Sequence, residues 1–531
     1  SAYMLYGDGS NLTNVSGGGG GGFSADADVN LMASNTCSGC DLDGSSGCFN
    51  TLIGACAGKA VASGVSNVMI GKCAGKSTVS GGYNVFLGHN AGATNTGSSN
   101  FFGGYSAGRC NSSGNYSVYI GVSAGKCADA SSSIGIGQDA GHCNVGNYLI
   151  AIGEYAAKEN EGIENIAIGR CSAMCMTTGT YNIAIGHCAA GAAAVTGNYN
   201  IAIGATAGKN TISGVDNVFI GSNAGVGNTT ASGNVYIGKN SGQQTYGGEY
   251  SDGGCNIAIG VEAGCGLNRE DKSAAEHNIN IGYRAGRSYN NSAAAGDRNI
   301  FIGCYAGNVT SGHTNIGIGN WSGGKSGGEC NVFVGQCAGN NTWGNINVAI
   351  GYCAGKSMSG VCKNTFLGFC AGNTVTGQNN TFIGHESGKS GGGSASGNCN
   401  TALGGQSMCN VTSGNLNVAI GFDAGRDIST SSCNVFIGMC AGNNVNSGGS
   451  NVAIGLDVEL ASPTGDCQFI IGVGTDHWIC GDSSFNIYDK DGTQLNGGGG
   501  GGSGWSPDAD ENLLAGTNAG EDLDGTNACC N

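Results

Sequence analysis

Cysteine is the residue in this chain best equipped to do chemistry, because a thiolate can attack, ligate a soft metal or pair as a disulfide. The 531 residues contain 27 of them. Eight (Cys56, Cys73, Cys171, Cys188, Cys337, Cys353, Cys370 and Cys440) stand two residues after a glycine that recurs along the chain. Cysteines locked to one slot of a repeat meet when the repeats stack. Neighbouring rungs of a parallel stack place equivalent Cα atoms about 4.8 Å apart, within reach of a disulfide. A bridge between Cys353 and Cys370 is one reading. The other is a small structural thiol filling a slot sized for alanine or serine. No paired Cys-x-x-Cys set occurs beyond the isolated Cys37 and Cys40, and the seven histidines are scattered, so no metal site is expected.

Other candidate groups are sparser. Asp41, Asp43, Asp522 and Asp524, with Asp489 and Asp491, have the spacing of calcium-loop carboxylates but lack a bidentate glutamate at the right distance. They read as solvated turn residues, and calcium at Asp41, Asp43, Asp522 and Asp524 is the one cofactor left open. Glu154, Glu262 and Glu386 could supply glycosidase acids, yet nothing in their spacing selects a pair. Phosphate loops, zinc-protease helices and nucleophile elbows are missing from any supporting context, so no catalytic residue is assigned.

The elements that must position these groups come from one phrase, Asn-Val-x-Ile-Gly-x-x-Ala-Gly. Aligned on its central glycine it occurs 25 times, from Gly54 to Gly472, mostly at spacings of 16 or 17 residues. Clear copies begin at Asn67, Asn217, Asn331 and Asn434, with central glycines Gly71, Gly221, Gly335 and Gly438. A short fixed period means that each unit buries its apolar face only by stacking on neighbours, which predicts an all-β solenoid or β-roll rod of about 25 rungs. With asparagine as position zero, positions one and three are mostly Val or Ile and share one face of a short strand. Position two points the other way. It is aromatic in ten copies, including Phe219, Phe333 and Phe436, and alanine in nine. Both faces therefore read as buried: one is the interior of the solenoid, the other calls for a second layer supplied by another copy of the chain, and the position-two Phe and Tyr rings are expected to lie between chains or layers. The central glycine suits a positive φ or a close approach to the next rung. Asparagine holds position zero in 21 copies, where stacked amides can form a ladder.

Composition narrows the partners. Gly numbers 106 and Pro only 2, charged residues are 11%, and the net charge is −16, which argues against nucleic acid and anionic membranes. No stretch approaches a membrane span, and the first residues do not read as a signal peptide. Lengthened repeats at 243–254, 265–277 and 287–298 carry Tyr246, Tyr250 and Tyr289, which suit contacts to a carbohydrate or a surface. Four segments follow: a junction at 1–49 with a glycine run at 17–22, the array at 50–476, a closing segment at 477–496, and a second junction at 497–531. The last restarts the text of the first, since Ser506-Pro-Asp-Ala-Asp-Glu-Asn-Leu513 echoes Ser24-Ala-Asp-Ala-Asp-Val-Asn-Leu31. Either glycine run is a flexible linker or a packed polyglycine helix where chains meet.

The array at 50–476, the Gly-Asp-Gly-Ser-Asn-Leu-Thr text with polyglycine at 7–22, and Trp478-Ile-Cys-Gly-Asp-Ser-Ser-Phe-Asn-Ile487 together resemble virion fibre proteins of tailed phages of marine bacteria, cyanophages above all. A weaker likeness is to the β-roll heads of trimeric autotransporter adhesins. The first resemblance implies a homotrimeric, extracellular virion fibre. Its partners would be other fibre or baseplate proteins and a host cell-surface glycan or protein. The cysteine load departs from both patterns. The functional expectation is a structural, non-enzymatic fibre for host attachment, with a cellular adhesin or filament second and a fibre-borne glycan-degrading enzyme third.

Overall fold

Each repeat folds as a three-residue strand followed by a tight turn, and the strands stack in parallel. In this computed structural model the described residues are 24–25, 30–33, 47–191, 194–243, 253–266, 275–287, 296–308, 312–325, 327–358, 360–390, 395–482, 484, 486–495, 505–507 and 513–515. Among them the structure is all-β without a helix, a parallel β-solenoid of about 23 turns. Tyr246, Tyr250, Tyr289, Asp41, Asp43, Asp522, Asp524 and both glycine runs lie outside the described residues.

The strand is short because chemistry fixes both of its ends. Val68–Ile70 is typical: Val-Met-Ile suits a pleated surface, and Gly71 ends it at φ 136°. A side chain at Gly71 would also stand 2.5 Å from the carbonyl oxygen of Gly88 on the next rung. No other residue meets both demands. Pairing is strictly in register, so that Val68 faces Val85, Met69 faces Phe86 and Ile70 faces Leu87. The turn is bonded rung to rung as well: the Cys73 amide donates to Ala55 and the Gly75 amide to Ala91, at 2.8 and 2.9 Å.

Position two points inward. Phe219, Phe333 and Phe436 are fully buried inside their own chain, packed with the alanine of each Ala-Gly pair. The inner rings stack along the pile, Phe86 on Phe102 at 5.1 Å and Phe366 on Phe382 at 5.4 Å between centroids. The second glycine of the phrase makes room for them, since a Cβ at Gly92 would lie 2.7 Å from the Phe86 ring. The burial of these rings is thus complete without a second copy. The face left uncovered is the one that carries positions one and three, where Ile420 and Ile437 are each 37% exposed and Leu403 46%.

The chain divides into two compact units, Ser1–His277 and Asn278–Asn531, a division that falls inside the array expected at 50–476. In the first unit, Leu31–Ala33 pairs in parallel with Thr51–Ile53 and begins the stack. In the second, parallel stacking ends at Phe469–Val473. There Asp476–Gly481 turns back antiparallel, and Ile487–Asp489 pairs with it in turn. The closing segment thus blunts the exposed edge of the last rung.

Candidate functional site

The repeat places its polar and reactive side chains in columns, one residue per rung, so each column is a candidate site. The asparagine column is interior. The side-chain oxygen of Asn50 accepts from the backbone amide of Asn67 at 2.9 Å, and that of Asn67 accepts from Asn84 at 2.9 Å. The Asn67 amide nitrogen donates to Gly81 at 2.8 Å. Asn217, Asn331 and Asn434 repeat this pattern, donating to Ala231, Gly344 and Gly448 at 2.9, 2.8 and 3.1 Å. All four are buried, so the column holds the corner and offers nothing to a ligand. Where Leu149 interrupts it, a neighbouring column takes over: Asn160 donates to Asn144 and Asn165 to Asn160, at 2.7 and 2.9 Å. Gly221, Gly335 and Gly438 end their strands at φ 131°, 131° and 130°, as Gly71 does.

Tyr119 carries the one hydroxyl among the buried aromatic rings of the first unit that lacks a partner at hydrogen-bonding geometry. Burial pushes its pKa up to about 12, while nearby Asn144, Ser117 and Ser133 pull the other way.

Cys353 and Cys370 are buried free thiols on successive rungs. The Cys370 thiol is pushed up by burial and by Cys353, and Cys337 one rung earlier is raised by the same two causes. Cysteine here occupies a left-handed backbone position, with φ 52° at both Cys353 and Cys370.

A second column lies on an outer edge of the first unit. Cys110, Cys127 and Cys143 each stand six residues after a central glycine, and all three are exposed. The Cys110 amide donates to Lys126 and the Cys127 amide to His142, both at 2.7 Å, which fixes this register. Burial raises the Cys110 thiol, helped by the charge of Cys127 and a side-chain hydrogen bond with it. His142 Nδ1 lies 3.0 Å from Cys143 Sγ, and His142 Nε2 lies 3.8 Å from Asp139 Oδ1. Partial burial lowers the His142 pKa against the opposing pull of Asp139. One ligand atom each from Cys127, His142 and Cys143 lies within 4.8 Å of the others, the one such cluster among the described residues. Spacing rules for Cys-x-x-Cys pairs do not find it, because its members come from consecutive rungs. The readable signal is the repeat-length interval that separates Cys110, Cys127 and Cys143.

No protein-family model, curated protein or solved structure matches this chain.

The second unit carries surface aromatics on the turns. Tyr305 stacks on Trp321 at 4.4 Å and meets Tyr283 edge-on at 5.3 Å. The Arg284 guanidinium lies 4.8 Å from the Tyr283 ring and donates to the Tyr305 hydroxyl at 3.0 Å. Tyr352, Phe369 and His385 form a further stack at 5.2 Å intervals. Such faces can stack on flat apolar partners.

The acids stand apart. Glu154 binds Arg170 at 3.2 Å, and the Glu386 carboxyl is held below its ordinary range first by its hydrogen bond with Lys389. A general acid needs the opposite shift. Asp489 accepts from the amides of Asp491 and Thr493 at 3.0 and 2.8 Å within its own turn, and Asp491 pairs with Lys490 at 2.8 Å.

Proposed function

We propose that this chain is a non-enzymatic structural segment of an extracellular fibre, a virion appendage that holds a host-binding part away from the particle and assembles as a homotrimer. The observation that carries the reading is the uncovered β-branched face. Position two fills the solenoid from within, while position one stays half-buried and position three presents Ile to solvent on rung after rung. A monomer has no use for an apolar face repeated with the period of its own core. Copies of the same chain share that period, so their faces match rung for rung within each unit.

The stacked surface aromatics around Tyr305 and Trp321, and around Tyr352 and Phe369, suit contact with a host glycan or protein in this reading. The acids support a non-catalytic role, since Glu154 and Glu386 are each committed to a cation. Sedimentation of the full chain at micromolar concentration tests the assembly. The expected mass is three copies. Ile420→Lys with Ile437→Lys should release monomers of unchanged β content. A wild-type monomer at that concentration would sink the proposal.

A further inference from the structure

We propose that Cys127, His142 and Cys143 form a binding site for a borderline-soft divalent cation of the zinc class, an assignment that departs from the sequence expectation of no metal. The three residues offer two sulfurs and one imidazole nitrogen, the donor set such ions prefer. Their ligand atoms already lie within 4.8 Å of one another. Zinc takes sulfur at about 2.3 Å and nitrogen at about 2.0 Å, so donors around one tetrahedral ion stand roughly 3.5–3.8 Å apart. The Nδ1–Sγ separation of 3.0 Å lies a little below that value, and the other separations do not exceed 4.8 Å. Side-chain rotation is enough to close the site, because the backbone register is held by the Cys127 amide bonding to His142 at 2.7 Å.

The imidazole supports the same assignment. Its Nδ1 faces the thiol, while Nε2 faces Asp139 Oδ1 at 3.8 Å. Metal-bound histidines generally show their second nitrogen to a carboxylate, which fixes the ring and its tautomer. Asp139 is therefore a positioning residue. Cys110 stands one rung before Cys127 and two rungs from Cys143, outside the cluster, so the protein offers three donors and the fourth position goes to water. On binding, each coordinating thiol gives its proton to bulk buffer and forms a metal–sulfur bond. The ion is not reduced, and the site needs no further reactant.

The test uses the full chain, reduced and stripped with chelator, titrated with Co²⁺ as an optical probe. Expected is the absorption of tetrahedral thiolate-bound cobalt, saturating near one equivalent and displaced by Zn²⁺. Cys127→Ser with Cys143→Ser should weaken binding at least 100-fold, and so should His142→Ala. Cys433→Ser, at an exposed thiol in the second unit, should change nothing. Asp139→Asn should weaken binding about tenfold or more and shift the cobalt spectrum. Unchanged circular dichroism and melting show that the variants fold, which the exposure of both thiols favours. Absence of the tetrahedral spectrum in wild type, or its survival in the double cysteine variant, overturns the proposal.

Discussion

At the residue scale the asparagine column shows how one side chain can serve two rungs. Asn434 accepts from the Asn451 amide at 2.9 Å and donates to Gly448 at 3.1 Å. Asn434→Ala would leave a buried amide and a buried carbonyl unpaired, so the second unit should lose about 2–4 kcal/mol in chemical denaturation. Tyr119 makes the opposite case. Its buried hydroxyl has polar neighbours in Asn144, Ser117 and Ser133 but none at strict hydrogen-bonding geometry, so Tyr119→Phe should change stability by no more than about 1 kcal/mol in either direction, read from the melting temperature. Its titration adds a signature. The folded pKa of about 12 lies above the unfolded value near 10, so the contribution is complete below pH 10 and falls away as pH rises towards 12. In wild type that slope is roughly 1.4 kcal/mol per pH unit from this residue, and Tyr119→Phe should remove it. An identical alkaline profile in the two proteins would count against this account.

At the element scale, period and polarity make the rung legible in the sequence. Asn, the Val-x-Ile strand and the central glycine read correctly because each is fixed by a local demand: an amide ladder, a pleat, a positive φ. The inner and outer faces were not legible. Both positions look apolar in the text, and only the turn, which folds Ala74 and Gly75 over Met69, decides that position two lies inside. The cluster at Cys127, His142 and Cys143 was hidden for another reason. Motif spacing measures neighbours along the chain, whereas a solenoid makes neighbours of residues one repeat apart. Equally unreadable was the closing hairpin. Asp476–Gly481 pairs antiparallel with Phe469–Val473 and covers the last parallel edge. Removing residues 476–495 should expose that edge as a template, and light scattering should rise with concentration where wild type stays clear.

At the scale of the whole molecule, stability is a sum of nearly equal interfaces between neighbouring rungs. Unfolding should therefore depend on how many interfaces a unit has, with no single central core to breach. Deleting residues 68–84 removes one rung while joining like to like, since Asn67 would precede Val85 as Asn84 does now. That variant should fold with unchanged circular dichroism per residue and a melting temperature within a few degrees of wild type. Deleting only eight of those residues should abolish folding of the first unit, because the inward and outward faces would then meet out of register.

The register between rungs has a consequence for inheritance. Equivalent positions face one another across the interfaces, as Val68 faces Val85 and Gly71 approaches Gly88. The sequence is therefore a ruler with identical graduations. Unequal exchange between two copies of the gene, joined at equivalent asparagines, changes length by whole steps of about 4.8 Å and keeps the strand register, while the inner neighbours at position two are reshuffled. Reach can thus vary between lineages without any new strand register, and selection can tune it as a number rather than a shape.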